Sequence, residues 1–226
     1  MNIKRWSGVV ALLAITIRML FAQSQIDFRE QTNVRAEHRF TQDFAIALMG
    51  AAILTNDVQE LGFAYLDGGL SYRITPNLAV NANYRLLLRR NLFNAYDRRH
   101  VLYADLDYSK GLPGPWMLTG TLRVQVQFYN HLFSEGPRPP NCYLRTRAGL
   151  RYKINYYWQP FAETELFTPL FRPQKPWPDQ IRASLGIAHV FNRFVRVEIY
   201  EQLQQEINSN SHNIFFLTAI NWGLRF

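Results

Sequence analysis

The chain has 226 residues, 48% apolar and 15% aromatic, and carries 25 Lys and Arg against 17 Asp and Glu for a formal charge of +8. A mean hydropathy of −0.20 excludes a bundle of membrane helices, each of which needs a run of about 20 apolar residues. Cys142 is the single cysteine, so no internal disulfide holds the fold.

In chain order, the first element is a predicted signal peptide over residues 1–22. Lys4 and Arg5 precede an apolar centre from Trp6 to Ile17, and the small residue Ala22 closes the segment. Arg18 and Leu20 fit this pattern less well, and an uncleaved anchor helix is the alternative, but the apolar centre is short for a bilayer crossing. Cleavage removes Lys4, Arg5 and Arg18 and no acid, which leaves a mature charge of 22 − 17 = +5.

After Gln23 the dominant signal is a period of two, which places alternate residues on opposite faces of a strand. Strand-like runs recur near 26–38, 43–55, 62–74, 78–90, 99–109, 115–129, 142–154, 157–168, 179–191, 194–206 and 213–226. Several are more than twice the usual strand length of about 5–6 residues and are long enough for a tilted bilayer crossing. Their connections alternate between short turns, such as Thr75-Pro-Asn77 and Asn192-Arg193, and longer polar loops over 91–98, 130–141, 169–178 and 207–212. Segregated turns and loops are the pattern of an outer-membrane barrel.

Each run has a nearly charge-free face and a charged one. In 142–154 the sets are Cys142, Leu144, Ala148, Leu150 and Tyr152 against Arg145, Arg147, Arg151 and Lys153. The aromatic residues decide which face looks outward. Tyr72, Trp116, Tyr152, Trp158 and Trp222 all sit on apolar faces beside short turns or the C-terminus, one common level where amphipathic rings meet lipid headgroups. The closing stretch NIFFLTAINWGLRF faces lipid through Phe216, Ile220, Trp222, Leu224 and Phe226.

The predicted fold is therefore all-β. It is a transmembrane antiparallel up-and-down β-barrel of ten to twelve strands over residues 23–226, following the signal peptide. Eleven runs are visible, whereas bacterial single-chain barrels have even strand numbers. The discrepancy is expected before residue 62, where 43–55 is apolar on both faces.

The stretches YLRTRAGLRYKI (143–154), QPFAETELF (159–167) and IRASLGIAHVFNRFVRVEIYEQLQQE (181–206) resemble a family of Gram-negative outer-membrane barrels, common in Bacteroidota and known only as a domain of unknown function. GGLSYRITPNLAVNANYR (68–85) resembles its earlier hairpin, so the resemblance spans most of 26–226. It implies an outer-membrane location and no activity. It also implies that Trp222, Leu224 and Phe226 are the signal read by the barrel-assembly machinery.

On the inward face, Arg145, Arg147, Arg151 and Lys153 are expected to meet Glu163 and Glu165 on the next strand. Arg85 and Arg89 are expected near Asp105 and Asp107, and Arg196 and Glu198 form a third group. These charges fill a lumen only slightly wider than one that side chains fill at about eight strands, giving a structural or interaction role. The alternatives are a small pore with an anion bias and, more weakly, a lipid-modifying hydrolase built on His131, Ser134 and Glu135. No cofactor motif, phosphate loop or metal-ligand spacing is present, and an exported barrel does not meet nucleic acid. At the loop side, Arg98, Arg99 and Arg138 are candidates for contact with lipopolysaccharide phosphates.

Overall fold

The structure is a computed structural model, and it describes residues 26–91, 93–129, 141–171, 178–207 and 214–226. The expected signal peptide lies outside these residues. Each of the eleven runs forms a strand: β1 (Ile26–Arg39), β2 (Phe44–Thr55), β3 (Glu60–Thr75), β4 (Leu78–Arg90), β5 (Tyr96–Gly111), β6 (Trp116–Tyr129), β7 (Asn141–Tyr152), β8 (Trp158–Leu170), β9 (Gln180–Val190), β10 (Val195–Glu206) and β11 (Ile214–Arg225). They form one closed barrel in which every strand pairs with its sequence neighbour and β1 closes on β11.

Two expectations are corrected here. The barrel is not antiparallel throughout: an odd number of up-and-down strands leaves β1 parallel to β11, in register from Ile26↔Ile214 to Glu37↔Arg225. The region before residue 62, where a discrepancy in strand number is expected, instead holds the regular strand β2, whose one departure is a register shift between Ile53 and Leu54 against β3. Its alternation is faint because alanines such as Ala45, Ala47 and Ala51 occupy its inward face, but hydrogen bonding to β1 and β3 keeps it extended. Ile26 therefore stands at the loop end of the barrel, and Phe226 at the turn end.

Local sequence explains the tight ends. Asn155 Oδ1 accepts from Tyr157 N and Trp158 N, both at 2.8 Å, and Asn192 Oδ1 accepts from Phe194 N at 2.8 Å and Val195 N at 2.9 Å. Such a side chain stands in for a turn's backbone carbonyl and reverses the chain within a few residues. Gly114, with φ of 78°, supplies the left-handed residue between β5 and β6 that a Cβ would disfavour.

Burial along the strands is inverted relative to a water-soluble protein. Leu66 is 53% exposed while its neighbour Asp67 is 3% exposed, and Leu106 is 39% exposed beside Asp105 at 8%. The outward face is a belt of Leu, Val and Ile, and the inward face is ionic. Several aromatic rings meet at the turn end. Trp116 lies opposite Tyr152 with ring centroids 4.7 Å apart, while Trp158 meets His189 at 4.2 Å. Phe216 shares the outward face of β11 but is only 6% exposed, with its ring stacked on Phe28. One polar row interrupts the belt: Glu30, Thr218 and Glu201 are consecutive partners across β1, β11 and β10, and Thr218 Oγ1 donates to Glu201 at 3.0 Å.

Candidate functional site

The lumen is crossed by two ionic clusters. In the first, Asp67 on β3 lies directly opposite Arg85 on β4, whose Nε and Nη2 donate to Asp67 Oδ2 at 3.0 and 2.7 Å. Tyr103 Oη donates to the same carboxylate. On β6, Arg123 spans both oxygens of Asp105 on β5, with Nε donating to Oδ1 at 2.6 Å and Nη2 to Oδ2 at 2.8 Å. The guanidinium of Arg123 lies over the Tyr103 ring at 3.9 Å and that of Arg85 over Tyr65 at 4.1 Å. Charged forks and rings thus alternate from β3 to β6. Bidentate pairing and stacking are properties of the planar guanidinium that a lysine could not reproduce.

The second cluster centres on Glu165 of β8. It accepts from Arg145 Nη2 at 3.0 Å and stands 3.6 Å from Arg182 Nη1. Both guanidiniums lie over the Phe167 ring, at 4.3 and 4.4 Å. Arg145 also donates to Gln125 and Arg182 to Gln204, so this group reaches from β6 to β10. Pairs this well enclosed add little net stability, because desolvation offsets attraction, but removing one partner strands a buried charge. Their arrangement therefore specifies strand register as much as it stabilises the barrel.

Toward the turn end, Arg151 bridges Glu163 at 3.1 Å and Glu198 at 2.8 Å, and Arg196 meets Glu198 at 2.7 Å. At this level the lumen opens into two adjoining cavities of about 520 and 490 Å³, which share Glu198 and Asn221, and the larger reaches inward to Glu165 and Arg182. Thr121 fixes one wall: its Oγ1 donates to Asp107 at 2.6 Å and accepts from Arg147 Nη2 at 3.1 Å.

The profile of a family described as a protein of unknown function, DUF2490, matches residues 18–214. The chain belongs to this family. No curated protein matches it. Among solved structures it is similar to the NanC porin, at 11% identity with a TM-score of 0.50, over 85% of this chain and 93% of that one. It is also similar to the beta domain of the Bordetella autotransporter BrkA, at 12% identity with a TM-score of 0.49, over 79% and 82% of the two chains. At such identities the porin likeness concerns fold alone, that of a closed transmembrane β-barrel.

Most of the charges expected inside are inside, but several pairings differ from expectation. Arg85 bonds Asp67 rather than Asp105, because register puts Arg85 opposite Val101 and Asp105 opposite Asn81. Asp105 is taken by Arg123, and Asp107 by Asn81 and Thr121. Arg89 lies over the Phe63 ring at 5.4 Å. Lys153 is exposed in the turn after β7 and belongs to no cluster, since the strand ends at Tyr152. Arg98 and Arg99 are successive strand residues and so face opposite ways: Arg98 is exposed on the outward side, and Arg99 shares the inward face of Val101. They cannot both reach lipid. Arg138, together with His131, Ser134 and Glu135, lies outside the described residues.

Asp67, Arg123 and Arg182 went unmarked in the sequence, as did the rings of Tyr65, Tyr103 and Phe167. Their signal was present in the alternation. Each lies on the charged face of its strand, where an aromatic ring looks like a stray apolar residue until an arginine is placed over it.

Proposed function

We propose that the protein is an outer-membrane β-barrel whose lumen is closed, with a structural or interaction role rather than that of a conduit. The outward apolar belt, the aromatic rings at the turn end and the likeness of fold to the NanC porin support the location. The observation that carries the closure is the Glu165 cluster, in which Arg145 and Arg182 converge on one carboxylate and one Phe167 ring from strands on either side. An eleven-stranded barrel is a little wider than one that ordinary side chains fill, and long arginine arms backed by Tyr and Phe occupy the difference.

The test is planar-bilayer recording of the refolded, detergent-purified protein at several voltages. No current steps above the lipid background are expected. Regular steps with a reversal potential favouring anions would replace this reading with that of a narrow anion-biased pore, to which the arginine-rich turn end would contribute.

A further inference from the structure

The two cavities at the turn end are not neutral. Together their walls carry eight arginines against five carboxylates; the larger cavity holds four of each, and the excess comes from Arg35, Arg193, Arg196 and Arg225 of the smaller, which faces only Glu37 and the shared Glu198. The carboxylates are also shared. Glu37 is approached by Arg39 at 3.1 Å, Arg225 at 3.4 Å and Arg35 at 3.6 Å, and Glu198 serves both Arg151 and Arg196. Arg73, Arg147 and Arg193 make no ion pair among the described residues; Arg193 lies over the Phe194 ring, and Arg147 is held from one side by Thr121. Arg147 stands opposite Glu165 across the β7–β8 ladder, but that carboxylate is taken by Arg145 and Arg182, so the remaining donors of the Arg147 fork are organised for a bidentate oxyanion.

We propose that this turn-end vestibule is a binding site for a small polyanion bearing two or more carboxylate or phosphate groups, with Arg147 as a principal contact. The volume of the larger cavity, about 520 Å³, lies within the range of small-molecule sites. Walls of low dielectric focus the excess charge into the opening and favour an anion over a neutral molecule. Access is from the turn side, since the cavities are bordered by Pro76 and Asn77 of one turn and Asn192 and Arg193 of another. In the outer membrane this side faces the periplasm. The direction of entry rests on the closed-lumen reading; the binding itself does not.

The experiment is isothermal titration of the folded full chain in zwitterionic detergent at low ionic strength. Citrate and pyrophosphate are the probes, with acetate and spermidine as controls. Saturable binding of at least one probe is expected, weakening at least tenfold at high salt because exposed charges are screened. Arg147→Gln lowers affinity at least tenfold, Arg147→Lys restores part of it, and Arg89→Gln at the opposite end, which lines neither cavity, changes nothing. Heat-modifiable migration on a gel confirms that each variant is folded. Binding of citrate alone identifies a carboxylate ligand and binding of pyrophosphate alone a phosphate ligand, while binding of both makes charge the criterion. Absence of binding by both probes, or equal weakening by Arg147→Gln and Arg89→Gln, overturns the site. A barrel that binds and also conducts overturns the closed lumen but leaves the site standing.

Discussion

Asn33 and Asn221 are register partners across the parallel seam, and Asn33 Nδ2 donates to Asn221 Oδ1 inside the barrel. Asn33 is 5% exposed and also accepts from Tyr65 Oη at 3.3 Å and Gln31 Nε2 at 2.8 Å. An amide cluster therefore links β1, β3 and β11 where the chain closes on itself. Asn221→Ala leaves a buried amide short of a partner, which costs about 1–3 kcal/mol. We expect a lower urea midpoint for unfolding from lipid vesicles, with a smaller shift for the exposed control Asn77→Ala. Equal shifts would show that the seam is not closed in this way.

Glu165 compensates two arginines at once. Glu165→Leu leaves Arg145 and Arg182 facing each other over Phe167, and loss of one partner of a buried pair costs about 3–5 kcal/mol. Refolding yield and urea resistance should fall sharply. Adding Arg145→Met and Arg182→Met should recover most of the loss, since matched apolar replacements of buried ion pairs are well tolerated. Failure of the triple variant to recover would mean that Glu165 acts through something other than those two guanidiniums.

Packing between β8, β9 and β10 depends on a missing side chain. A Cβ at Gly186 would sit 2.4 Å from Tyr200 Cβ, 2.6 Å from the Ile199 carbonyl oxygen and 2.8 Å from Phe161 Cζ. Two of these neighbours are backbone or near-backbone atoms that cannot swing aside. Gly186→Ala should therefore destabilise the barrel by about 1–3 kcal/mol or more, the usual cost of overpacking. Gly50→Ala, which meets nothing within 4 Å, should be silent in the same urea series.

The facing of the strands is open to direct labelling. In a background with Cys142 replaced by Ser, single cysteines at Leu150 and Ile220 should carry a polarity-sensitive dye in hydrocarbon, while one at Arg147 should report water. The reverse pattern would invert the barrel and remove the basis of the functional reading. A cysteine at Asp27 should react with an impermeant reagent from the side opposite to one at Lys153, because β1 starts at the loop end.

The sequence alone was sufficient for a transmembrane β-barrel, though it left the strand number between ten and twelve. Strand alternation is a local property, and an ionic face opposite an apolar one, with rings gathered beside the short turns, has one low-energy arrangement once lipid is the solvent. The eleven runs and their ends to within a few residues were legible for that reason. Which arginine meets which carboxylate was not legible, because opposition across a hairpin depends on a register that alternation leaves free by steps of two. Asp67 and Arg85 are opposite one another only after β3 and β4 are aligned. The parallel seam was decided by closure, since strand direction at the join follows from the parity of the whole count rather than from any residue in β1 or β11. The vestibule was likewise settled by tertiary structure: its arginines come from strands all around the barrel, and only the closed ring brings their charges onto one cavity.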